Sequence, residues 1–245
     1  MYNNFALFYD ALTTNVNYKK RTDYLCKIFK KHDSLPTLLL DVACGTGSFS
    51  VEFAKKGIDV IGADISDSML SVARQKAVEQ NLNILFLNQS AANLELYGTV
   101  NGAVCCLDSI NHITDYSELC QSFAKISLFL EPNKLFVFDV NTLYKHSTVL
   151  ADNTFIYETD NLFCSWQNKF IKQKNSTQIT LDFFYNNGQN YNRFTETFFE
   201  RAYTGAQLEK ALKKAGLKIE AIYGENTFVA PKSDSERIIY VTRKV

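Results

Sequence analysis

The spacing of apolar residues changes character twice along the 245-residue chain. From Thr37 to Asp139, short apolar runs at 38–41, 58–63, 83–87, 101–107 and 134–139 alternate with segments of helical period. In those segments Met69, Leu70, Ala73 and Ala77, and later Leu119, Phe123, Ile126 and Leu130, recur every three or four positions, as one face of an α-helix requires. The 101–107 run is apolar enough to be buried on both faces. Five strands alternating with helices predict a doubly wound, mostly parallel sheet with right-handed crossovers.

Beyond residue 150 the period falls to two. Alternation over 154–158, 162–166, 179–185 and 195–201, with turn signals at Asp160-Asn161, Asn175-Ser176 and Asn186-Asn187-Gly188, predicts an antiparallel meander of about four strands. It reads as an insertion at 151–202 in a main domain made of 1–150 and 203–245. Helical spacing returns over 204–214 and stops at Gly216, and two strands near 217–223 and 237–242 follow. Residues 2–30, with Phe5, Phe8, Tyr9, Leu12, Tyr18, Tyr24, Leu25, Ile28 and Phe29, form a helical preamble whose second helix opens at Asn15 or Asn17. Most of these aromatics are packing residues; Tyr9 and Tyr18 are candidates to line a site.

Composition narrows the class. The chain is 46% hydrophobic and 21% charged, ordinary for a soluble domain with a sizeable core. Lys+Arg and Asp+Glu both total 26, which argues against a nucleic-acid partner. No apolar run nears the roughly 18 residues of a membrane span, and the first residues lack a signal-peptide pattern. The six cysteines form no C-x-x-C pair and no metal-like spacing with the three histidines. They read as reduced thiols of a cytoplasmic protein without a metal site.

The candidate chemistry starts at Asp41-Val42-Ala43-Cys44-Gly45-Thr46-Gly47-Ser48, where the first strand runs through small residues into a helix. Such a turn brings backbone N–H groups close to a nucleotide-like ligand. Asp64 ends the second strand about 20 residues later, where a carboxylate accepts ribose hydroxyls. A dinucleotide fingerprint is excluded, because Ser50 stands where its third glycine belongs, and there is no P-loop lysine. The stretch instead resembles motif I of the class I S-adenosylmethionine-dependent methyltransferases, with alanine for the first glycine, and Asp64-Ile65-Ser66-Asp67-Ser68-Met69 resembles the family's ribose-binding segment.

The resemblance implies a Rossmann-like sheet of seven strands, the last antiparallel, and S-adenosyl-L-methionine as cofactor. It places Asp41 near the methionine amino group, Ala43, Cys44 and Gly45 under the methionine and ribose, and Asp64 on the ribose diol. Ile65 and Met69 fall beside the adenine. Ser90 stands where the family often has an acid facing the adenine amino group, with Ala91 next to it. Leu107 falls near the methionine, with Asn111 and His112 on the acceptor side. His112, the only histidine placed near the crevice, is the candidate general base. The meander resembles the acceptor-covering insertion of glycine and sugar-amine N-methyltransferases, with Tyr157, Trp166 and Arg201 as candidate substrate residues. Glu196 and an acceptor carboxylate are candidate partners for Arg201.

The implied activity is methyl transfer to a small-molecule nitrogen or oxygen nucleophile by in-line displacement, in a monomer or homodimer. The alternatives are an RNA or protein methyltransferase, and a cofactor-binding protein without catalysis. An exposed basic face at Lys169, Lys172 and Lys174 would favour RNA.

Overall fold

The computed structural model describes residues 5–186 and 188–245. The expectations for residues 2–4 and for Asn187 lie outside them. Helices α1 (Phe5–Leu12) and α2 (Tyr18–Lys31) precede β1 (Leu38–Val42), α3 (Ser48–Ala54), β2 (Asp59–Asp64), α4 (Asp67–Glu79) and β3 (Leu85–Asn88). Then come β4 (Gly102–Cys105), α5 (Ser109–His112), α6 (Tyr116–Phe129) and β5 (Leu135–Asn141). A wide, π-type helical turn at Lys145–Leu150 leads into β6 (Thr154–Glu158), β7 (Leu162–Ile171), β8 (Ser176–Asn186) and β9 (Tyr191–Arg201). Helix α7 (Gly205–Lys214) and strands β10 (Leu217–Gly224) and β11 (Arg237–Lys244) complete the order.

The main sheet runs β10-β11-β5-β4-β1-β2-β3. Strands β1 to β5 pair in parallel, and β11 is antiparallel to both neighbours. The order reverses between β1 and β4, so their carboxyl ends open the crevice where such folds bind ligands. Strands β6 to β9 form a separate antiparallel sheet.

The period-two pattern divides the main sheet into two packed faces. Leu40, Val42, Ala103, Cys105, Phe136 and Phe138 meet Phe123 and Ile126 of α6 and Leu208 and Leu212 of α7. Leu39, Val104, Val137 and Val241 meet Ile28 and Phe29 of α2 and Phe53 of α3. Asp41 and Asp139 continue the second face at its carboxyl edge, so strand parity delivers both carboxylates to the crevice. The second sheet packs Cys164, Ile179, Leu181 and Phe183 against α1 and Met69 of α4, which seats it over the strand ends.

Local signals hold the helices in place. The Asn17 side chain caps α2, Ser66 caps α4, Asp115 caps α6, and Thr204 with Gln207 forms a capping box on α7. No helix among the described residues is long and apolar enough to cross a membrane, and all six cysteines are free.

Candidate active site

Asp41 is almost fully buried, and the Ser50 hydroxyl donates to its Oδ2 at 2.5 Å. Ser50, which breaks the dinucleotide fingerprint, thus serves the carboxylate that ends the strand. Burial pushes Asp41 up to about 7; the Ser50 hydroxyl pulls the other way and the Asp64 charge adds to the rise. Ala43, Gly45 and Gly47 all take left-handed backbone, with φ of 54°, 54° and 72°. At Gly47 a Cβ would stand 2.8 Å from Ala73 Cβ, because the turn rests directly on α4.

Asp64 holds the turn in shape. Its Oδ2 accepts from Gly45 N at 2.8 Å and its Oδ1 from Ser66 N at 2.8 Å. Burial raises its pKa, and these two N–H donors and the nearby His112 oppose the rise. Tyr9, Tyr18, Asp41, Ala43, Cys44, Gly45 and Leu107 border one pocket. Helix α1 crosses above it: Asp10 accepts from Thr46 Oγ1 at 2.8 Å and pairs with Lys76 Nζ at 2.6 Å, while Phe8 packs among Phe183, Tyr185 and Phe194. Burial pushes the Cys44 and Cys106 thiols up, so neither supplies a thiolate.

The adenine side is less committed. Ile65 is 69% exposed, while Met69 is buried under the second sheet. The Ser90 hydroxyl caps a single turn at Ala91–Asn93, accepting from Asn93 N at 3.2 Å, and Ala91 packs on the core.

On the acceptor side, Leu107 and Asp108 adopt consecutive left-handed conformations, φ 55° and 52°, strained for residues with side chains. The Asp139 carboxylate holds them, accepting from Leu107 N at 2.9 Å and Asp108 N at 2.6 Å. Buried Arg237 pairs with both Asp139 and Asp108. Burial alone would raise Asp108, but Arg237, then Lys145 and His112, outweigh it and hold its carboxyl low.

Asn111 is fully buried and ties β5 to β9: its Oδ1 accepts from Asn141 N, and its Nδ2 donates to the carbonyls of Asn141 and Arg201. His112 is exposed on one side, stacks on Phe198 with centroids 5.2 Å apart, and places Nε2 3.6 Å from Glu200 Oε1. Tyr157 and Trp166 stack on each other in the apolar layer of the second sheet, and Trp166 donates to Asn168. Half-buried Arg201 donates to the Thr114 carbonyl and covers the Tyr203 ring, so Glu196 is not its partner. Lys169, Lys172 and Lys174 are exposed around the β7–β8 turn.

Three groups escaped sequence reasoning. Glu200 is buried with His112 on one side and His146 on the other, its Oε2 3.8 Å from His146 Nε2. His112 is therefore not the only histidine here. Arg237 is the third. Parity along β9 places Glu200 on the same face as Phe194 and Phe198, the one signal that could have marked it. Ligand atoms of Asp108, His112 and Glu200 lie within 4.8 Å of one another, but Arg237 already balances the Asp108 charge.

Comparison with known proteins gives the family and the fold. A family model described as a methyltransferase domain matches residues 39–133. YqeM of Bacillus subtilis (strain 168), named provisionally as a methyltransferase, is 32% identical over 247 residues, covering 100% of this chain and 97% of its own. The crystal structure of an S-adenosylmethionine-dependent methyltransferase from Clostridium acetobutylicum ATCC 824 superposes with a TM-score of 0.90 at 33% identity, covering 99% and 98% of the two chains. CalS10 of Micromonospora echinaspora, an amino pentose methyltransferase solved with S-adenosylmethionine bound, shares the fold at a TM-score of 0.78 and 15% identity, covering 97% and 96%.

Proposed function

Because the chain belongs to the class I S-adenosylmethionine-dependent methyltransferases, we propose that it methylates a small-molecule nitrogen or oxygen nucleophile by in-line displacement. The observation that carries the small-acceptor reading is the second sheet, which covers the strand ends and stacks Phe198 on His112. A second sheet seated on the strand ends favours a small acceptor over a polymer.

The buried carboxylate of Asp41, the open glycine turn and Asp64 fit an aminoacyl nucleoside at both its cationic and its ribose end. The sulfonium supplies an already activated methyl group, so the chain's work is binding, alignment and exclusion of water. Asp41 would hold the methionine ammonium and Asp64 the ribose hydroxyls. Ala43, Cys44, Gly45 and Leu107 would contribute backbone, with Tyr9 and Tyr18 closing the pocket. Ile65, Met69, Ser90 and Ala91 would border the adenine. His112 would take the acceptor's proton, Asn111 would fix its loop, and residues 151–202 would act as the lid. Tyr157 and Trp166 would stiffen that lid, and Arg201 would stand at its outer edge. Free thiols suit a cytoplasmic setting.

Calorimetric titration with S-adenosylmethionine and S-adenosylhomocysteine tests the donor site, and failure to bind either would sink the reading. A screen of amines, hydroxy compounds and RNA for homocysteine-product release tests the acceptor. Turnover confined to RNA would replace the small-molecule reading and direct attention to Lys169, Lys172 and Lys174.

A further inference from the structure

Behind His112 lies a buried polar cluster that methyl transfer as described does not use. Glu200 is 4% exposed, yet its Oε2 has no hydrogen-bond partner. His146 is fully buried, and its Nδ1 meets Thr177 Oγ1 at 2.9 Å, which fixes the ring. Its Nε2 is likewise unpartnered and points at Glu200 Oε2 from 3.8 Å. From the other side His112 Nε2 stands 3.6 Å from Glu200 Oε1. Both gaps exceed a hydrogen bond by a few tenths of an ångström, a separation common in active sites before the reacting complex tightens.

We propose that Glu200 is a positioning residue acting through His112: its carboxylate keeps His112 protonated on Nε2, so that Nδ1 offers its lone pair to the acceptor's proton. The proposal rests on the reading that His112 faces the acceptor. His146 backs the carboxylate from within the protein, and β9 carries Glu200 on the lid, so lid seating and base orientation are linked.

The surrounding charges agree with this arrangement. Asp108 of the β4–α5 loop faces Glu200 and repels it, while Lys145, Arg237 and His112 attract it. Asp64 at the end of β2 faces His112. Burial, and then Asp108, raise the pKa of Glu200, and the neighbouring His112, Lys145 and Arg237 oppose that rise. Burial lowers His146 to about 4, which leaves it a neutral neighbour. In the step itself the acceptor's X–H bond breaks, the proton goes to His112 Nδ1 and the electron pair stays on X. That pair forms the bond to the methyl carbon as the S–C pair returns to sulfur. The exposed edge of His112 then releases the proton to water. The relay is needed for an acceptor that carries a proton at neutral pH, such as an ammonium group or an alcohol, and is superfluous for a carboxylate.

Three histidines make the test direct. Protein labelled with 15N at histidine is examined at pH 8.5, where ordinary imidazoles are neutral, with and without S-adenosylhomocysteine. The expected result is a His112 tautomer protonated on Nε2 in the native chain, and mixed tautomers in Glu200→Met. Glu200→Gln, which keeps an acceptor oxygen, restores the native tautomer, and His32 stays unchanged throughout. An Nδ1-protonated His112 in the native chain, or an unchanged tautomer in folded Glu200→Met, would overturn the proposal. Equimolar Mn2+ broadening His112 and His146 in the native chain but not in Glu200→Met would overturn it too, by making the cluster a metal site. Loss of S-adenosylhomocysteine binding alone would count against the donor site and leave the tautomer result standing.

Discussion

Asp64 holds the glycine turn, and the proposed function gives it the ribose as well, two duties that one substitution can separate. Its oxygens already accept from Gly45 N and Ser66 N, each at 2.8 Å, and each oxygen retains a further lone-pair direction for a ribose hydroxyl. Asp64→Asn removes the charge and turns an amide NH2 toward one of those N–H donors. Hydrogen bonds to a charged group contribute about 1.5–3 kcal/mol and neutral ones about 0.5–1.5 kcal/mol. Weakening two ribose bonds and loosening the turn should therefore cost about 2–3 kcal/mol of S-adenosylhomocysteine binding, or about 30- to 150-fold in Kd. Titrating both proteins with S-adenosylhomocysteine and its 2′-deoxy analogue isolates the ribose share as a double-mutant cycle. The native protein should lose about tenfold in affinity on removal of the hydroxyl, and Asp64→Asn should lose threefold or less, about 0.6 kcal/mol. Equal losses in the two proteins would show that Asp64 shapes the turn and does not touch the ribose.

Three further outcomes follow from groups around the crevice. Asp41, raised to about 7, is half-protonated near neutrality, and a bound ammonium would favour its carboxylate. S-adenosylhomocysteine affinity should therefore climb as pH rises toward 7 and level off above it, with proton release measurable by calorimetry in buffers of different ionisation enthalpy. Since the folded value lies above the unfolded one, Asp41 also favours the fold at low pH and loses that contribution as pH rises through 7, by at most about 1.4 kcal/mol per pH unit; both effects should vanish in Asp41→Asn. Gly47→Ala combines a left-handed backbone with a Cβ 2.8 Å from Ala73 Cβ. It should cost about 2–3 kcal/mol, lowering Tm by about 5–10 °C, and a shift under 1 °C would contradict the packing argument. Arg237→Met strands the Asp108 and Asp139 carboxylates and should cost about 3–5 kcal/mol in urea unfolding at pH 8. The loss should shrink toward lower pH as the Asp108 carboxyl, no longer held low by Arg237, takes up a proton; undiminished stability at pH 8 would mean the ion pairs contribute nothing.

What could be read in advance was set by periods, and what could not was set by chain returns. Apolar runs such as β4, where Gly102–Cys105 are all buried, are covered on both faces because the sheet is doubly wound, so their composition alone announces it. The same parity that buries Leu39 carries Asp41 to the carboxyl edge, and the turn after it has to be small because α4 lies within contact of Gly47. Ser90 shows where a motif stops informing: a serine aligned with an acid is free to do local work, and here it caps the turn that follows. Glu196 and Glu200 share a face of β9 that Arg201 does not, so the Arg201 guanidinium meets the Thr114 carbonyl rather than Glu196. A charged residue in an alternating strand reads as solvated unless something from elsewhere covers it. For Glu200 that cover is His112 from the β4 end and His146 from the turn after β5, 88 and 54 residues upstream on converging segments. An isolated carboxylate is costly to bury, and the two histidine rings that flank Glu200 supply the polar surroundings that make its burial in β9 tolerable.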